Sequence, residues 1–326
     1  MKIGIDGGAL SVDKKHQFGN YTFTVNLVKA IEKYDRTDNQ YVLYTFSQPN
    51  INFNFGKKIK IKIIKPKYLW SKIGLSLAQI TDKNDVFLAI NQSIPFVKAK
   101  KIIGFSHGLS FYFFKKFYSQ SWKRMFRQHQ IMMKYCDSVV VPSVKVKEDI
   151  KKIFINHNKK IEVLPYGIPF DLKMIKKSEH EKKEKYFLAV GMKHNIKNFK
   201  LLKKLFEQFR EKCRQYKYKL IIVNSGVKLL NLIDYYKKAT ALLTASFYES
   251  FNFPVLEALY LNCPVVGMTS AIIPEMWKFT LTAKNDIEFV EIMNKIVNQN
   301  INIDSQKLEK MFSWKRYIKK LVTLYD

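Results

Sequence analysis

Short apolar runs alternate with amphipathic stretches along nearly the whole chain, in two successive series. In the first, residues 2–6, 41–46, 58–64, 86–90, 101–105 and 138–142 read as strands, each followed by a polar or helical segment. Residues 21–34 carry Val25, Leu27, Val28 and Ile31 at helical spacing. A strand at 161–164 and the turn Pro165-Tyr166-Gly167 close this series, and the charged stretch 173–185 reads as a linker or a helix next to one. The second series places strands at 186–190, 219–223, 241–245 and 264–267, with helices at 198–212, 230–239, 254–261 and 286–297. Strands that alternate with helices build parallel sheets, because a parallel pair needs a crossover long enough to hold a helix. The pattern predicts an α/β chain of two similar domains, residues 1–166 and 167–304. The terminal segment 305–326 reads as one amphipathic helix. A ligand is expected in a central cleft, outside the carboxyl ends of the strands.

Composition narrows the function classes. The chain has 326 residues, 47% hydrophobic and 14% aromatic, enough to build real cores and to exclude disorder as its main state. No apolar run reaches the roughly 18 residues needed to cross a bilayer. The start MKIGIDGGAL holds too few apolar residues before Asp6 to read as a signal peptide. Cys136, Cys213 and Cys263 are far apart and form no C-x-x-C, which argues against zinc and disulfides. A cytoplasmic location is therefore expected. Lys+Arg is 57 and Asp+Glu is 27, a formal net charge of +30, yet only Arg36, Arg124, Arg127, Arg210, Arg214 and Arg316 are arginines. Readers of nucleic acid lean on the bidentate arginine fork, and no nucleic-acid motif is present, so no nucleic-acid partner is expected. The charge is either a lysine bias on solvated faces or an attraction to an anionic surface.

The chemistry concentrates in Phe247-Tyr-Glu-Ser-Phe-Asn-Phe-Pro-Val-Leu-Glu-Ala-Leu259. A strand enters a loop that carries Glu249, and Pro254 then suits the first turn of a helix. Glu257 follows about one turn inside that helix. The amides at the helix start are free to meet an anion. Two carboxylates around an anion cradle suit a nucleotide sugar: carboxylates accept from paired hydroxyls while the helix end takes phosphate. Two solvated glutamates are the plainer alternative, but Val255, Leu256, Ala258 and Leu259 make this a buried helix, where a carboxylate needs a partner.

The Glu-x7-Glu segment, with Phe251, Pro254 and Val255 and the following Cys263-Pro264-Val265-Val266-Gly267, resembles the signature of glycosyltransferase family 4, retaining enzymes of GT-B fold. Asp6-Gly7, the Gly19-Asn20-Tyr21 turn, Asp85-Val86-Phe87, Ser106-His107 and Pro165-Tyr166-Gly167 resemble its other landmarks. So do Val190-Gly191 with Lys197-Asn198, Ile273-Pro274-Glu275 and Phe312-Ser313-Trp314. The resemblance implies two Rossmann-like domains facing a cleft, with the C-terminal helix packing back toward the N-terminal domain. It implies that Glu249 binds hydroxyls of the donor sugar and Glu257 the ribose diol. Backbone amides over Ser250, Phe251, Asn252 and Phe253 would hold the sugar and diphosphate, and Lys197 would neutralise the diphosphate, with Lys193 as a further cation. Gly19 would admit the phosphates, and His107 would face the donor sugar. It also implies transfer with retention and without a metal or other cofactor, and no Asp-x-Asp occurs in the chain.

The sequence departs from the family's pattern at several positions. Met192 and Ile196 stand where an arginine is common, Ser250 and Asn252 where glycines are usual, and Gly108 where an aspartate often follows the histidine. The stretch 219–239 is short, so the nucleotide base is not legible. The segment 111–133 interleaves Phe111, Tyr112, Phe113, Phe114, Phe117, Tyr118, Trp122 and Phe126 with lysine and arginine. It reads either as aromatics packed in a core or as a patch that meets an anionic membrane. Residues 57–67 read as an edge strand blunted by lysine. The expected function is transfer of a sugar from a nucleotide-diphosphate donor to a glycan or lipid-linked acceptor, as in lipopolysaccharide or surface-polysaccharide synthesis, at the inner membrane face. A GT-B homologue without activity, serving as a glycan-assembly subunit, is the alternative.

Overall fold

Both alternating series form parallel sheets in the computed structural model, which describes residues 1–13, 19–49, 51, 55–65, 69–92, 94–155, 158–175, 182–215, 217–224, 227–299 and 301–326. Part of the expected linker (176–181) and His16, His157 and His180 lie outside the described residues. The chain divides into two units, Met1–Gly167 with Ser313–Asp326, and Ile168–Phe312.

The first unit contains β1 (Lys2–Asp6), β2 (Gln40–Thr45), β3 (Ile59–Ile63), β4 (Val86–Ala89), β5 (Lys101–Phe105), β6 (Ser138–Val141) and β7 (Lys160–Val163). Their order is β3-β2-β1-β4-β5-β6-β7, with every pair parallel. Strands β4 and β6 are buried on both faces, which is why they read as unbroken apolar runs. The edge falls to β3, with its exposed Lys60, as the sequence implies. Helices α1 (Gly19–Tyr34), α2 (Leu75–Asp82), α3 (Ser110–Phe113), α4 (Ser121–Tyr135) and α5 (Val144–Ile153) belong to this unit. Gly19-Asn20-Tyr21, expected as a turn, is the first turn of α1. The aromatic segment is drawn largely inward. Phe111 is buried among Phe87, Met132 and Val139, and Tyr112, Tyr118, Trp122 and Phe126 pack against the same core. Most of the aromatic half of the expected membrane patch is thus spent on packing.

The second unit contains β8 (Tyr186–Gly191), β9 (Lys219–Asn224), β10 (Ala241–Thr244), β11 (Val265–Met268) and β12 (Leu281–Ala283). They run in the order β12-β11-β10-β8-β9, again all parallel. Helices α6 (Phe170–Lys173), α7 (Phe199–Lys212), α8 (Leu229–Lys238), α9 (Phe253–Tyr260), α10 (Asp286–Ile296) and α11 (Ser305–Met311) complete it. The core joins Phe187 and Leu243 to Phe209 of α7 and Phe289 of α10.

The terminal segment is two helices rather than the expected one. Phe312 leaves helical geometry at φ −101° and ψ 68°, and α11 ends there. Ser313 then starts α12 (Trp314–Val322) by accepting from the Arg316 amide. Helix α12 belongs to the first unit and buries Trp314, Tyr317, Ile318 and Leu321. Trp314, Tyr317, Tyr166 and Phe23 of α1 form one aromatic group, with Trp314 stacked on Tyr166. No helix among the described residues is long and apolar enough to cross a membrane.

Candidate functional site

The strand order of the second unit reverses between β8 and β10. At such a switch point the loops leaving the two strands diverge to opposite faces and open a crevice at the carboxyl ends. The two loops that leave β8 and β10 here carry Lys197 and Glu249. After β8 the chain passes Gly191 and the exposed Lys193 and makes a tight turn over Asn195–Lys197. His194 starts that turn, its Nδ1 accepting from the Ile196 amide at 3.2 Å. Asn198, left-handed at φ 52°, opens α7. The second loop is tied to the first by the Phe247 N–H, which donates to the Ile196 carbonyl at 2.9 Å.

Across this junction Lys197 Nζ donates to Glu249 Oε1 at 2.7 Å, with side-chain exposures of 14% and 10%. The two residues expected to meet phosphate and sugar therefore meet each other. A cation and a carboxylate so withdrawn from water are compatible only as partners, since either alone would be an uncompensated buried charge. A Cβ at Gly191 would stand 3.3 Å from the Lys197 stem, so the missing side chain lets the lysine lie along this strand end.

Asn252 leads into α9 at φ 70°, a left-handed conformation asparagine tolerates, and its Nδ2 donates to the Ala271 carbonyl at 3.1 Å. Phe251 is buried, its ring meeting Phe253 and Phe312 edge-on, so its side chain is spent on packing. Ser250 lies beside it, and Pro254 occupies the first turn of α9. Within that turn Pro254 has no N–H, and the Val255 amide donates to the Asn252 carbonyl at 3.1 Å.

Glu257 projects from α9 toward α8, where the Tyr236 hydroxyl donates to its Oε2 at 3.0 Å. Burial pushes the Glu257 carboxyl up to about 7, and the Tyr236 bond offsets part of that rise. Tyr236 escaped the sequence reading. Its signal was a buried tyrosine on the apolar stripe of α8, where a phenol needs a polar partner.

His107 and Gly19 lie in the first unit. Gly19 is exposed, with no described atom within 4 Å of where a Cβ would stand. His107 follows β5, and both of its ring nitrogens are engaged. Nε2 lies 2.8 Å from the Ile90 carbonyl and Nδ1 2.7 Å from the Tyr166 hydroxyl. A carbonyl can only accept, so Nε2 carries the hydrogen and Tyr166 donates to Nδ1. Burial lowers this imidazole to about 4, against a smaller opposing effect of the Ile90 bond, and the ring is neutral at pH 7. Nearby His129 is also lowered to about 4 by burial. Its Nδ1 donates to the Met125 carbonyl, and its Nε2 meets Ser106 Oγ at 3.0 Å. Among the described residues no three His, Cys, Asp or Glu side chains gather as a metal site.

No protein-family model matches this sequence, and no curated protein matches it at significant similarity. Solved structures do match in fold along nearly the whole chain. Sucrose-phosphate synthase from Thermosynechococcus elongatus aligns at a TM-score of 0.69 and 12% identity, over 99% of this chain and 98% of its own. The lipopolysaccharide outer core galactosyltransferase WaaB, in its apo form, aligns at 0.62 and 16% identity, over 99% of both chains. Anabaena HepE, solved in complex with UDP-glucose, aligns at 0.62 and 10% identity, over 99% of both chains. The two parallel-sheet units of this chain therefore have the GT-B fold that these glycosyltransferase structures share.

Proposed function

We propose that the protein is a retaining glycosyltransferase that moves a sugar from a nucleotide-diphosphate donor to a glycan or lipid-linked acceptor. Cytoplasmic assembly of lipopolysaccharide or another surface polysaccharide is the setting that best suits it. The observation that carries this reading is the placement of Lys197, Glu249 and Glu257 on the loops and helix beside the switch point of the second unit. WaaB, a galactosyltransferase of the lipopolysaccharide core, and HepE, seen with UDP-glucose, support the substrate class.

The donor site proposed here is built from the second unit alone. Glu257 would accept from the ribose diol through the oxygen that Tyr236 leaves open. The amides over Ser250, Phe251, Asn252 and Phe253 would meet the diphosphate at the start of α9. Lys197, with Lys193 on the same loop, would hold the charge that grows on the departing nucleotide as the glycosidic bond breaks. Glu249, now paired with Lys197, would exchange part of that contact for hydroxyls of the sugar. Charge stabilisation in this scheme comes from lysine and amides and requires no metal. An inactive homologue is the second reading, favoured by Met192 and Ile196, which leave the diphosphate no arginine fork on this loop.

Thermal unfolding with UDP, GDP and ADP tests the site. One of them is expected to stabilise the parent chain and not Glu257→Ala. An unchanged response in Glu257→Ala overturns the site assignment. Released nucleotide in a panel of nucleotide sugars then separates an active enzyme from an inactive homologue.

A further inference from the structure

One face of α2 turns aliphatic side chains to solvent. Trp70–Gly74 makes a π-turn that runs directly into α2. Ile73, Leu77 and Ile80 recur at steps of four and three residues, so they share one stripe. They are 42%, 52% and 54% exposed. Phe96, 74% exposed, extends the stripe sideways. Its amide donates to Ser76 Oγ at 2.8 Å, and Lys72 Nζ lies 5.8 Å from its ring centre. The other face of α2 is occupied by the core, where Leu75 and Ala78 are buried. A helix apolar on both faces is normally buried on both, yet no described residue covers this one.

The border of the stripe is cationic. Lys72 and Lys83 are exposed at the two ends of the helix. Lys65 is exposed next to Ile64, which packs beside Gly74. The one acid on the helix, Asp82, is bound by Lys62 at 2.9 Å. We propose that this stripe docks the protein on an anionic lipid surface, with Ile73, Leu77, Ile80 and Phe96 entering the headgroup region and the bordering lysines facing lipid phosphate. Charge selects this occupant over a second copy of the chain. Two molecules at +30 repel, and a symmetric contact would set lysine against lysine. The proposal stands apart from the sugar-transfer reading, because it uses none of the residues of the second unit.

Sedimentation of the full chain with vesicles tests it. One set is phosphatidylcholine, and the other contains about one-third phosphatidylglycerol. Binding to the anionic set is expected, and it weakens as salt rises. Leu77→Asn with Ile80→Asn is expected to lower partitioning about tenfold. Both positions face solvent, so melting and nucleotide response should match the parent. Phe113→Ser, in the segment 111–133, should leave vesicle binding unchanged, and Lys72→Gln with Lys83→Gln should lower it mainly at low salt. Equal binding to both vesicle sets, or unchanged binding of the Leu77/Ile80 variant, overturns the proposal. So does a dimer of the parent that this variant dissolves, which would put a second copy on the stripe. Binding of polyglutamate with the same dependence on Leu77 and Ile80 would assign the surface to an acidic polypeptide and also overturn it.

Discussion

Glu257 and Tyr236 show how one hydroxyl sets the state of a carboxylate. Burial raises Glu257 to about 7, so near neutrality it is divided between acid and anion. The Tyr236 bond favours the anion, the form that can accept from both hydroxyls of a ribose diol. In Tyr236→Phe that support is lost and the carboxyl titrates higher still. Nucleotide affinity is expected to fall about tenfold at pH 7, the scale of one hydrogen bond to a charged group. The deficit should shrink by about pH 9, where the carboxyl is ionised again. Titration calorimetry across this range checks it. A loss that does not vary with pH would make Tyr236 a packing residue only. Lys197 and Glu249 differ in kind, since they are direct partners at 2.7 Å across two loops. The Glu-x7-Glu spacing made both glutamates legible because it is local to a single loop and helix. Their partners come from the loop after β8 and from α8, and no local pattern encodes which lysine or tyrosine arrives there.

The elements were most legible where burial is two-sided. Strand β4 is apolar throughout, β6 is apolar after Ser138, and both stand out from their neighbours. Strand β12 has three residues, too few to carry a period, and was not anticipated. The break between α11 and α12 was hidden because Ser313 fits the polar face of a continuous amphipathic helix as well as it fits a cap. The interleaved aromatics of 111–133 were ambiguous for a related reason, since core and surface patches use the same residues. Gly167 was legible only as a turn, whereas its role is close approach. A Cβ there would stand 2.5 Å from the Trp314 backbone nitrogen and 2.4 Å from the indole. The backbone cannot yield as a flexible side chain would, so Gly167→Ala is expected to push α12 off the first unit. A cost of about 2 kcal/mol is expected, the scale of core overpacking. Denaturant unfolding measures it, and Trp314 fluorescence should report the loosened helix. A variant as stable as its parent would mean that α12 shifts without strain.

The two units carry buried titratable groups of opposite sign, so the molecule as a whole should respond to acid in two directions. In the first unit His107 and His129 are lowered to about 4 by burial, below the ordinary histidine value of 6.5. Their stabilising effect is fully present above about pH 6.5 and is lost as pH falls toward 4, on the order of 3 kcal/mol for each ring. In the second unit Glu257 is raised to about 7 from an ordinary 4.5. Its effect is fully present below about pH 4.5 and is lost as pH rises through 7, again on the order of 3 kcal/mol. Between pH 7 and pH 5 the first unit therefore weakens while the second strengthens. Asp85, held low by Lys100 and the Lys2 amide, titrates below this window and does not blur it. Chains of two domains need not unfold in one step, so calorimetry can follow both transitions. Acidification from pH 7 to pH 5 is expected to lower one transition and raise the other. His129→Gln should flatten the pH dependence of the falling transition, and Glu257→Gln that of the rising one. If both transitions fall together in the parent and in both variants, the general charge of the chain governs its acid response rather than these three buried groups.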